Sequence, residues 1–105
     1  MKAQSNDMPS HIEDVGGGVY YVNMNITEHP SGERVTYEYE YVKTSGYPTY
    51  GVVVEKLIRE RYTESDELAL HRQRDTKPEA FQEYNDFCEA CKDKARPVFY
   101  PNENQ

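Results

Sequence analysis

Cys88 and Cys91, in the tetrapeptide CEAC, are the only cysteines in the chain and have the spacing of a redox or zinc pair. Thiol redox chemistry places such a pair at a helix N-terminus, where the dipole lowers the thiol pKa. Here the apolar spacing puts it in the last third of a helix, the end that disfavours a thiolate. Structural zinc takes four ligands. His11, His29 and His71 are the remaining typical partners, and none stands at a suitable spacing from the cysteines. Both cysteines also fall on an apolar helical stripe. Buried, reduced core thiols are therefore expected, with metal and redox roles as the alternatives.

His71, in LALHRQRD, is the other candidate. A general acid or base needs an orienting carboxylate and a pocket for substrate. Asp75, one turn further along, could orient the ring, but no nucleophile stands nearby in sequence. A partly exposed helix residue is the simpler expectation. His11 and His29 are given no role. Asp66, Glu67, Glu79, Glu83 and Asp86 are accounted for by helix caps and solvated helix faces. The sequence thus predicts no catalytic residue, no metal ligand and no cofactor, and a chain that is not an enzyme.

The remaining constellation is VTYEYEYVKT, where Tyr37, Tyr39 and Tyr41 alternate with Glu38 and Glu40. Sheet platforms for single-stranded nucleic acid flank their aromatics with Arg and Lys. Glutamates stand there instead, and the net charge of −7 disfavours a phosphate binder. Apolar Val22, Met24 and Ile26 on the paired strand argue that the tyrosines face a core. Tyrosine is amphipathic, however, and phenols emerging at the edge of a helix layer would form a protein-binding surface. Tyr37, Tyr39 and Tyr41 are accordingly the candidate partner-binding residues.

The elements that must position these residues follow from periodicity. With 105 residues, the chain makes one small domain with a thin core. Residues 1–18 read as a flexible arm, with the GGG at 16–18 as a linker. Residues 19–27 and 35–43 alternate as strands around a turn containing Pro30 and Gly32, an antiparallel hairpin. Helical spacing covers 52–62, 66–74 and a third segment up to about Arg96, with Thr63 or Ser65 capping the second. TKPE at 76–79 has the pattern of a capping box. Phe81, Tyr84, Phe87, Cys88, Cys91 and Ala95 form the stripe of the third helix. The expected fold is α+β, ββααα, with a single domain over 19–96 and a flexible tail at 97–105. A lone hairpin leaves both edges open, so a weak homodimer is expected.

Residues 57–96, LIRERYTESDELALHRQRDTKPEAFQEYNDFCEACKDKAR, resemble the C-terminal segment of a family of small uncharacterised prophage and mobile-element proteins of gut bacteria. In those, RYTxSDELALxRQRDxKPEEFxEYN followed by a CK helix recurs. Some members sit among tail genes, which implies a virion-assembly or accessory role. No secretory leader and no apolar run long enough to span a membrane stand in the sequence. A non-enzymatic interaction or assembly module is therefore expected, cytoplasmic in the host cell or associated with the virion. Its partner would be a protein, such as a phage structural component, with neither nucleic acid nor membrane. A small enzyme or metal protein using His71 or Cys88 and Cys91 is the alternative.

Overall fold

In the computed structural model, which describes residues 2–101, four antiparallel strands precede three helices, an α+β fold. The strands are β1 (Lys2–Ser5), β2 (Ile12–Gly16), β3 (Val19–Ser31) and β4 (Arg34–Ser45), in the sheet order β1-β4-β3-β2. The helices are α1 (Tyr50–Arg59), α2 (Glu64–Arg72) and α3 (Pro78–Phe99).

The expected hairpin is the centre of this sheet, but the segment expected as an arm contributes both outer strands. β1 pairs with β4 at Lys2↔Glu40 through Ser5↔Tyr37, and β2 pairs with β3 at Ile12↔Val22 through Gly16↔Val19. The glycines expected as a linker form a turn. Gly17 and Gly18 have φ of 65° and 75°, and two consecutive positive values suit a two-residue hairpin loop with the twist of its strands. The hairpin edges expected to be open are thus partly covered, which weakens the case for edge-to-edge dimers. Met1 and residues 102–105 lie outside the described part.

The turn between β3 and β4 also sits further out than the sequence suggests. Pro30 is paired with Val35 inside the ladder, and the chain reverses at Gly32 and Glu33 between Ser31 and Arg34. β2 reaches along β3 only as far as Val22, so Pro30 lies where no strand asks β3 for a hydrogen-bond donor. Nearer the centre, the register shifts between Met24 and Thr27, and Asn25 takes a φ of 53°. This bulge sharpens the local twist, and asparagine tolerates the left-handed region better than most residues.

One sheet face carries the core. Val22, Met24 and Val42 pack with Val53, Val54, Leu57 and Ile58 of α1 and with Cys91 and Ala95 of α3. Each fully buried aliphatic side chain stabilises by about 1.5–3 kcal/mol. Glu40 lies opposite Met24 on this face, and Lys94 of α3 meets it at 3.1 Å. Burial pushes the Glu40 carboxyl up, but the bond and charge of Lys94, with Asn25 and Lys2, hold it below its ordinary value. A glutamate between strand and helix is thereby kept charged.

α1 is capped by Thr49, whose side chain accepts from Val52 N–H. Of the two cap residues the sequence offers, Thr63 rather than Ser65 caps α2, in a complete capping box with Asp66. Thr63→Ala is expected to lower stability by about 1 kcal/mol in urea denaturation. The box expected at TKPE does not form. Lys77 is the cap residue of α3 and makes no side-chain cap bond, while Thr76 Oγ1 turns back to the Gln73 carbonyl at 3.1 Å. α3 also continues through Pro97 to Phe99, past the expected end, and so brings Val98 and Phe99 against the core.

Candidate partner-binding face

The register decides which way the tyrosines point. Val42 and Glu40 pair with Val22 and Met24 on the helix side, so Tyr37, Tyr39 and Tyr41 stand on the other face. The expected core role is corrected by this one-residue offset. Their neighbours across the strands are not Val22 and Met24 but Glu28 opposite Tyr37 and Asn23 opposite Tyr41. On the β1 side, Ser5 stands opposite Tyr37 and Ala3 opposite Tyr39.

Among the described residues the helices pack on the Val22, Met24 and Val42 side and leave this face uncovered, and all three tyrosines are half-buried. Tyr21, which the alternation also sends outward, stacks on Tyr41 with ring centroids 5.5 Å apart at 49°. Four tyrosines thus share the outer face, flanked by Glu13, Glu28 and Lys43. A hollow of about 190 Å³ lies among Ala3, Tyr21, Asn23, Tyr39 and Tyr41.

Asn23 organises one side of the patch. It is 2% exposed, and its Nδ2 donates to the Ser10 carbonyl at 2.7 Å and to Glu13 Oε1 at 3.1 Å. Its backbone N–H donates to the His11 carbonyl at 2.8 Å. His11 Nδ1 stands 3.1 Å from the Asn23 carbonyl, which can only accept, so Nδ1 carries the proton in this contact. The link between β1 and β2 is therefore fastened on the outer side of the sheet. Sequence reasoning gave His11 no role and overlooked Tyr21 and Asn23. Asn23 between two core-facing apolar residues was the available signal, since a polar side chain inside a strand asks for a partner.

The other candidates are placed elsewhere. Cys91 is buried and Cys88 half-buried, both unpaired as disulfides. Burial pushes the Cys91 thiol up to about 11. His71 packs edge-on against Phe81 and Tyr84, with ring centroids at 5.3 and 5.9 Å. α2 ends at Arg72, so Asp75 does not continue the helix face of His71 as expected. The carboxylate one turn before His71 is Glu67, which is engaged by Arg59 at 2.5 Å and by the Tyr84 hydroxyl. Burial and that bond to Glu67, with Cys88 beside it, push the Tyr84 phenol well above its ordinary value. Among the described residues, no three His, Cys, Asp or Glu side chains are grouped to hold a metal ion, and no helix is long and apolar enough to cross a membrane.

No protein-family model, curated protein or solved structure matches this chain.

Proposed function

We propose that the chain is a non-enzymatic interaction or assembly module that docks a protein partner on its outer tyrosine face. The observation that carries this is the presence of Tyr21, Tyr37, Tyr39 and Tyr41 on the face opposite the helices. Tyrosine offers a large, amphipathic contact area at low rotamer cost and is enriched in interface cores. Glu13 and Glu28 border the rings against Lys43, and the whole chain carries −7. The partner surface is accordingly basic, with Arg or Lys side chains able to lie over the rings. From the resemblance of residues 57–96, the setting is an accessory role in a prophage or mobile element, in the host cell or on the virion.

The alternative, a small enzyme or metal protein, draws less support. His71 is packed on rings, its adjacent carboxylate is engaged, and Cys91 faces the core.

The test is capture from a lysate of induced prophage-bearing cells, with matched variants. The Tyr37→Ser/Tyr39→Ser chain is expected to lose at least about tenfold in affinity for the captured protein, the size of one interface hot spot. Leu68→Ser, on the exposed side of α2, should bind as the parent does. Circular dichroism checks that both variants fold. Capture of nothing, or equal capture by all three chains, sinks the proposal.

A further inference from the structure

We propose that the β4 edge at residues 37–40 is a strand-acceptor site held in cis by residues 2–5, and that an extended segment of the partner takes it by displacing β1. This rests on the docking role of the tyrosine face and names the form of its ligand.

β1 is a weak occupant. It is four residues long, and Lys2 and Gln4 are exposed while Ala3 and Ser5 are only half-buried. Ala3 is its one apolar side chain, and it is one wall of the hollow of about 190 Å³ that Tyr21, Asn23, Tyr39 and Tyr41 also line, which leaves room for a larger side chain in its place. The backbone ladder supplies most of the attachment. Gln4 adds one exposed side-chain bond, to Glu38 at 3.3 Å, and the charge of Lys2 acts on Glu40. Addition of a strand to a sheet edge uses the same ladder for affinity and alternate side-chain pockets for specificity.

The resident strand therefore shows what a better occupant looks like. Opposite Glu40 it carries a cation, opposite Tyr39 an apolar side chain larger than Ala3, opposite Glu38 a neutral hydrogen-bond donor, and opposite Tyr37 a small residue. The ligand class is a basic–apolar–polar–small extended segment of a protein. Beyond Glu40, Val42 and Lys43 border a second hollow of about 310 Å³ with Lys56, Arg59 and Glu60. An antiparallel segment extended at its N-terminal end would run there. Because β1 must leave first, apparent affinity is reduced to the intrinsic affinity times the fraction of time that β1 is undocked, so a better-fitting resident strand suppresses binding.

The test uses the full chain, labelled with ¹⁵N, and a blocked synthetic peptide reproducing residues 2–8 with Ala3→Leu. The expected result is that the amide signals of residues 37–40 shift and those of residues 2–5 move to unpaired positions, with saturation. A peptide with Lys2→Glu as well should bind several-fold more weakly. Each buried methylene strengthens association roughly fourfold. Placing Ala3→Leu in the chain itself is thus expected to weaken peptide binding about tenfold, allowing for partial exposure of the side chain.

Signals of residues 2–5 that stay in place at millimolar peptide overturn the inference. So does equal peptide binding by the parent and Ala3→Leu chains. If β1 stays in place while tyrosine-dependent capture persists, strand exchange falls and the docking role stands. If the peptide displaces β1 but capture does not depend on the tyrosines, the docking role falls and the acceptor edge stands.

Discussion

Cys91 in the folded chain is expected to react with a water-soluble thiol reagent at pH 8 at least about a hundredfold more slowly than in the denatured chain. The thiolate is the reactive form, and an unperturbed thiol near 9 is roughly a tenth ionised at that pH. With burial pushing the Cys91 thiol up to about 11, the ionised fraction falls to about a thousandth. Ionisation alone therefore slows reaction by about a hundredfold. Access slows it further, since Cys91 is 2% exposed beneath Val22, Met24 and Leu57 in the same core cluster. Cys88 is half-buried and should be labelled first, a distinction that their shared place on one stripe conceals. Mass spectrometry of a labelling time course reads both rates. Prompt labelling of Cys91 in the native state would count against the packed core.

The same shift makes a prediction about alkali. In the unfolded chain, Cys91 loses its proton near pH 9, whereas in the folded chain it keeps it to about 11. Between these values the folded state binds more protons, so stability falls as pH rises. Two units correspond to about 2–3 kcal/mol, present in full below pH 9 and lost by about pH 11. The Cys91→Ala chain should lack this part of the alkaline slope. Equal slopes for parent and variant would show that the thiol is not desolvated.

Much of the helical half is legible because a single local signal decides each feature. Thr63 before ESDE sets a cap that tertiary structure has no reason to move. The stripe of Tyr84, Cys91 and Ala95 needs only the helical period. TKPE fails as a box because the chain still turns at residues 73–76, where Thr76 bonds back to Gln73 before α3 begins. The sheet is less legible because its facts are relational. Alternation shows that Tyr37, Tyr39 and Tyr41 share a face, but only pairing with β3 shows which face. An apolar count misleads there, since the inward side of β4 includes Glu40, made tolerable by Lys94 more than fifty residues away. β1 reads KAQS and β2 reads IEDVG, with too few apolar residues to show a strand period. They are strands because the hairpin edges accept them.

Replacing Glu67 with alanine is expected to lower stability by about 1–2 kcal/mol and to loosen α2 ahead of the rest of the chain. α2 buries no residue fully, and Leu68 is 54% exposed, so apolar burial holds it only weakly. Glu67 joins it to both neighbours, accepting from Arg59 at the end of α1 and from the Tyr84 hydroxyl of α3. Removing the carboxylate leaves Arg59 with Glu55 at 2.9 Å and the Tyr62 carbonyl at 3.2 Å, but takes the acceptor from a buried phenol. Such losses cost more than the hydrogen bonds themselves contribute. Around α2, amide exchange should accelerate about tenfold, while core β3 amides change only with global stability. Glu67→Gln keeps the shape and should cost about 1 kcal/mol, because one neutral oxygen replaces two charged ones.

The pH dependence separates charge from packing at this joint. Burial pushes the Glu67 carboxyl up, but the bonds from Tyr84 and Arg59 and the charges of Arg59 and His71 outweigh it, leaving it below 4.5. A depressed carboxylate contributes stability that is complete above its unfolded value and lost as pH falls through its folded one. The difference between parent and Glu67→Gln should therefore be constant at neutral pH and shrink below about pH 4.5. Comparing the two chains removes the similar contributions of Glu40 and Asp66, which are also held low. Unchanged protection of α2 in Glu67→Ala would mean that backbone caps and Thr63 alone hold the helix. Loss of protection would place Glu67 of the RYTESDEL string in a scaffold role, joining α2 to α1 and α3.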